Sequence, residues 1–203
     1  MKKMIDKAFI DDHLNELIEC VNKASKEIIS IYMGDDFGQI EKSDGSPLTI
    51  ADKNANQVIL DELQSISSDI SIISEETFEN NLLKNLDKTY WLVDPLDGTR
   101  EFINKTDEFT VNIALIDNKK AIFGIVAAPV TGKVWHGSVF EKNNTDEGPV
   151  EKIRIVMSKS HKSENDRAFL EFIDSKNINY KIIEKGSSLK LCSLADNEAD
   201  IYP

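Results

Sequence analysis

Trp91-Leu92-Val93-Asp94-Pro95-Leu96-Asp97-Gly98-Thr99 joins a strand-type apolar run to two carboxylates, a glycine and a hydroxyl. Pro95 has no N–H to give to a ladder, so the spacing predicts that the chain turns where Asp94 leaves the sheet. Asp94 and Asp97 then face one small volume, where two carboxylates repel and one takes up a proton unless a cation neutralises them. A hard divalent cation such as Mg²⁺ suits these oxygen ligands. Gly98-Thr99 reads as the start of a short helical turn, whose unpaired backbone N–H groups favour an anion such as phosphate. The same residue types also make ordinary solvated turns.

A second acidic pair argues for the site. Glu75-Glu76 follows the β-rich run Ile70 to Ser74, so it too stands at a strand end, and adjacent strand ends can bring Glu75 beside Asp94. On its own the pair would read as a solvated edge, and Glu76 fits that reading.

Outward from these strand ends the chain divides. Asp12 to Met33 carries apolar residues at the three- and four-residue steps of an amphipathic helix that Gly34 ends. Gly38 to Pro47 is a polar loop, after which Thr49 caps a second helix with Ile50, Val58, Ile59 and Leu63 on its apolar side. Asp52 falls in that helix's first turn, where an acid also serves as simple dipole compensation. The polar excursion Thr77 to Lys88 has the composition of a mobile flap. Phe109 to Asp117, Ala121 to Ala128 and Lys133 to Val139 read as an antiparallel meander.

Glu141 to Glu151 is the expected boundary between an N-terminal α+β domain, residues 1–150, and a partial C-terminal α/β domain, residues 151–203. Beyond it Ile153 to Met157, Glu164 to Asp174, Tyr180 to Glu184, Ser188 to Leu194 and Ala199 to Tyr202 alternate strand and helix, which implies a parallel layer.

The chain has 203 residues, 40% of them apolar, and a formal net charge of −12. That composition supports a globular core, and the net negative charge argues against a nucleic-acid polymer as main ligand. An anionic substrate then needs a cation or a local basic pocket to receive it. No apolar run reaches membrane-span length, and the N-terminus lacks a signal-peptide core, so a cytoplasmic address follows, with peripheral membrane contact left open. Cys20 and Cys192, far apart in expected helices, read as buried reduced thiols.

Glu75-Glu76, Asp94 to Thr99, Gly186-Ser187-Ser188-Leu189-Lys190 and Ala199-Asp200-Ile201-Tyr202 together resemble the inositol monophosphatase superfamily. Trp91 to Asn104, Phe109 to Asp117 and Ser158 to His161 resemble its bacterial 3′(2′),5′-bisphosphate nucleotidase branch. The resemblance implies an α/β, α+β layered fold, the αβαβα sandwich of inositol monophosphatase and fructose-1,6-bisphosphatase, here with the second domain incomplete. It implies a Mg²⁺-dependent, lithium-inhibited phosphomonoesterase turning adenosine 3′,5′-bisphosphate into AMP and phosphate in sulfur assimilation and nucleotide recycling. About two or three Mg²⁺ ions are expected on the same grounds, as in multi-metal phosphatases.

Carried over by position, Glu75, Asp94, Asp97 and the Leu96 carbonyl would bind metal. Asp52 and Thr99 would activate the attacking water, and the Gly98 and Thr99 amides would hold the phosphate. His161, Ser187 and Lys190 would contact the nucleotide. Each of these three has a plainer reading, as a surface histidine, a helix cap and a solvated lysine. In the family a Trp-Asp-x-Ala-Ala-Gly segment with a further metal carboxylate follows the stretch equivalent to Ala199–Pro203, so a chain ending at Pro203 is expected to be poorly active and prone to association. Alternatives are an inositol monophosphatase or other sugar phosphatase, or an inactive metal- or nucleotide-binding fragment. The oligomeric state is not legible.

Overall fold

The computed structural model describes residues 5–34, 36–41, 47–77, 87–141, 152–159 and 163–203. Most of the expected flap between Thr77 and Lys88, the centre of the Gly38–Pro47 loop, most of the boundary segment and His161 lie outside the described residues. The chain forms two compact units, residues 1–142 and 143–203.

The first unit opens on α1 (Lys7–Tyr32), whose N-cap Asp6 accepts a hydrogen bond from the Phe9 N–H at 3.0 Å. The helix starts earlier than Asp12, where the apolar period becomes clear. Asp11 and Asp12 interrupt that period, yet a cap and the burial of Phe9 and Ile10 extend the helix back through them. The expected polar loop contains a short antiparallel pair, β1 (Ile40–Glu41) and β2 (Pro47–Leu48). Helix α2 (Ile50–Ile66) follows Thr49, and β3 (Ser71–Ser74) runs directly into a 3₁₀ turn at Glu75–Thr77.

Strand β4 (Thr89–Asp97) corrects the expectation of a turn at Pro95, because it runs through Pro95 to Asp97 before α3 (Thr99–Ile103). Against β5 (Thr110–Asp117), Asp94 pairs with Asn112 and Asp97 with Thr110, so Pro95 and Leu96 together oppose Val111. This is a β-bulge. A bulged residue owes no hydrogen bond to the ladder, which is why a proline is tolerated there and the strand need not end. β6 (Lys120–Ala128) and β7 (Lys133–Ser138) complete the sheet in the order β3-β4-β5-β6-β7, with β3 parallel to β4 and the rest antiparallel.

One face of this sheet carries the core. Trp91 and Val93 of β4, Val111, Ile113 and Leu115 of β5, and Phe123, Ile125 and Ala127 of β6 are buried in one cluster with the apolar stripes of α1 and α2. Every second residue faces the helices, as a pleated strand requires. Leu92, on the alternate face, is 44% exposed. Each large apolar side chain sealed in this way contributes roughly 1.5–3 kcal/mol.

The second unit pairs β8 (Ile153–Ser158) with β9 (Tyr180–Lys185) in parallel, joined through α4 (Glu164–Ser175) and followed by α5 (Leu189–Ala195). The strand expected over Ala199 to Tyr202 is a single parallel bridge, Ile155 to Ile201. Arg154 holds this segment to β8, its Nη2 lying 2.6 Å from Asp200 Oδ1 and its backbone N–H donating to Oδ2 at 2.6 Å. Cys20 and Cys192 are buried and unbridged. No described helix is long and apolar enough to cross a membrane.

Candidate active site

Three local devices deliver polar groups to one end of β3 and β4. The parallel register pairs Ser74 with Val93, so Glu75 and Asp94 are each one step beyond a matched pair. The bulge then shifts the register just after Asp94, whose Oδ1 accepts the Leu96 N–H at 3.2 Å. Gly98, with φ 91 and ψ 39, makes the sharp link into α3. A side chain at that φ would strain the backbone, so glycine is required by geometry there.

Asp52 is 1% exposed in the first turn of α2. Its Oδ2 accepts from the Thr49 N–H at 2.7 Å and from Thr49 Oγ1 at 2.6 Å. Its Oδ1 faces Thr99 Oγ1 at 3.2 Å, and the same hydroxyl stands 3.2 Å from the Leu96 carbonyl. One hydroxyl proton serves either acceptor, so Thr99 is poised between the buried carboxylate and the bulge. Burial pushes the Asp52 carboxyl above its ordinary range despite the opposing hydrogen bonds from Thr49 and Thr99.

The electrostatics tie these groups together. Burial first, then the negative charges of Asp97 and Glu75, push the Asp94 carboxyl up to about 8, with Asp52 adding to the rise and the Leu96 N–H opposing it. The sequence-expected carboxylates Glu75, Asp94 and Asp97 therefore share one field, and Asp52 belongs to it. Glu75 is itself exposed, on a 3₁₀ turn that buries none of its residues. Among the described residues no three Asp, Glu, His or Cys side chains already stand close enough to hold an ion. The donor chemistry nonetheless fits a hard divalent cation, because these are oxygen ligands and the group's self-repulsion is what a positive charge relieves.

Two residues escaped the sequence reading. Ser74 Oγ donates to Asn56 Oδ1 at 2.5 Å, and both side chains are buried. Asn56 lies one helical turn after Asp52, a spacing that could have flagged it as a second polar residue on a buried face. In the second unit Ser187, at φ 45, and Lys190 are adjacent, with Lys190 Nζ donating to the Ser187 carbonyl at 2.6 Å.

Residues 11–203 match the Inositol monophosphatase family. The chain belongs to that family. This inositol monophosphatase family chain is 35% identical over 199 residues to the 3′(2′),5′-bisphosphate nucleotidase CysQ of Escherichia coli K12, covering 94% of itself and 79% of the relative. It is 38% identical over 202 residues to the CysQ of Buchnera aphidicola subsp. Acyrthosiphon pisum, covering 94% of itself and 74% of that protein. The crystal structure of CysQ from Bacteroides thetaiotaomicron, a bacterial member of the inositol monophosphatase family, superposes with a TM-score of 0.77 at 30% identity, covering 94% of this chain and 79% of that one. The layered α/β architecture is thus the family's, and the protein is a phosphatase of a metal-dependent family.

Proposed function

We propose that this phosphatase is a Mg²⁺-dependent, cytoplasmic 3′(2′),5′-bisphosphate nucleotidase that hydrolyses adenosine 3′,5′-bisphosphate to AMP and phosphate. The observation that supports the chemistry is the convergence of Glu75, Asp94 and Asp97, in which burial first and then the charges of Asp97 and Glu75 push the Asp94 carboxyl up to about 8. The substrate rests on likeness to nucleotidases at 35% identity.

Glu75, Asp94, Asp97 and the Leu96 carbonyl would hold Mg²⁺, whose presence neutralises phosphate charge and acidifies water. The chain's own groups supply the rest. The Gly98 and Thr99 amides bind phosphate oxygens and fix the phosphorus before the Asp52–Thr99 pair. The attacking water gives its proton to Thr99 Oγ1 as the Thr99 proton passes to Asp52, a short transfer because those oxygens already stand 3.2 Å apart. The new P–O bond forms as the ester bond to the ribose oxygen breaks, and that oxygen takes a proton from solvent. Ser187 and Lys190, with His161, would orient the nucleotide.

The test is phosphate release, with and without Mg²⁺, from adenosine 3′,5′-bisphosphate, inositol 1-phosphate and fructose 1,6-bisphosphate, with Asp94→Asn as control. Mg²⁺-dependent release from the nucleotide, lost by about a hundredfold or more in the variant, is expected. Preference for inositol phosphate would move the chain to another branch of its family. Binding of Mg²⁺ and nucleotide with no release at high enzyme concentration would leave a binding protein.

A further inference from the structure

Glu75 presents a positional problem. Its 3₁₀ turn, Glu75–Thr77, lies at the surface and buries none of its residues. Its upstream neighbour is fixed. Ser74, the last residue of β3, is 0% exposed and donates its hydroxyl proton at 2.5 Å to Asn56, which is 6% exposed on α2. A lone pair of the same hydroxyl faces the Glu76 N–H at 3.4 Å. Ser74 is therefore clipped to the helix on one side and to the turn carrying Glu75 on the other.

Nothing in the packing asks for these polar groups. An apolar pair of similar size would fill the same buried volume without any desolvation cost, whereas a buried amide or hydroxyl costs free energy unless bonded. The helix that carries Asn56 also carries Asp52 one turn earlier, so the bond references Glu75 to the residue that faces Thr99. We infer that the Asn56–Ser74 hydrogen bond is a positioning device that sets the chain's affinity for a divalent cation by holding Glu75 at the ligating end of β3. The inference rests on the reading of Glu75 as a metal ligand.

The experiment is calorimetric titration of Mg²⁺ into the nucleotide-free protein for Ser74→Ala, Asn56→Ala, the double variant and Glu75→Gln, each checked for folding by its thermal midpoint. Outer partners of metal ligands typically contribute about tenfold or more to affinity. Each single variant is expected to weaken Mg²⁺ binding about tenfold, and the double variant no further, because both remove one bond. At saturating Mg²⁺ kcat should stay near the wild-type value, a split that loss of general packing would not produce. If Glu75→Gln weakens binding while Ser74→Ala and Asn56→Ala leave it unchanged, or if the two effects simply add, the positioning role is overturned. If Glu75→Gln itself leaves Mg²⁺ binding intact, what fails is the ligand reading of Glu75 beneath it.

Discussion

Asp94 and Gly98 are the residues at which function and stability pull apart. The Asp94 carboxyl is raised to about 8 by burial and by Asp97 and Glu75, so its charged form is disfavoured by the very neighbours that make a cation site. Asparagine keeps the shape and removes the repulsion. Asp94→Asn is therefore expected to lose turnover while its thermal midpoint without Mg²⁺ stays at or above the wild-type value, and a clear drop would mean the carboxylate is structural. Gly98 shows the opposite balance. At φ 91 an added Cβ costs about 1–2 kcal/mol, so Gly98→Ala is expected to lower the unfolding free energy by that amount, read as a lower urea midpoint, and to displace Thr99 from Asp52. An unchanged midpoint would show that the loop relaxes freely.

At the scale of elements, the hairpin joining β5 and β6 has a two-residue loop, Asn118-Lys119, with φ 46 and 67. Both central residues are left-handed, the geometry of a type I′ turn, which asparagine tolerates and lysine does not favour. Lys119→Gly is expected to stabilise the first unit by roughly 0.5–1 kcal/mol with activity unchanged, read from denaturant midpoints. Most of the elements themselves were legible in the sequence, because helical and strand periods are local signals. The amphipathic steps from Leu17 to Ile31 mark α1, and apolar runs separated by Asn118-Lys119-Lys120 mark β5 and β6. Where reading failed, the deciding partner was distant in the chain. Pro95 reads as a strand end until β5 is placed beside it, when Val111 opposes two residues and the ladder continues. The first turn of α1 is hidden because Asp11 and Asp12 break a period that the Asp6 cap and the buried Phe9 restore.

For the whole molecule, each unit carries its own ties. In the second, hydrogen bonds from the Arg154 side chain, then from its backbone N–H, hold the Asp200 carboxyl below the usual carboxylate range. A carboxyl depressed in the folded state stabilises it above the unfolded value near about 3.9 and loses that contribution as pH falls through the folded value. Asp200→Asn is thus expected to unfold more readily than wild type at neutral pH, with the difference shrinking below about pH 4. A difference that stayed constant into acid would show that charge is not the tie.

Read alone, the chain already declared its periodic elements, its acidic loop and its family, since each of these is written in consecutive residues whose chemistry is local. Folding decided the rest: that β4 runs on through Pro95 and that Asn56 reaches Ser74. Those outcomes depend on strand register and on a helix laid across a sheet, and neither is encoded in the spacing of neighbouring residues.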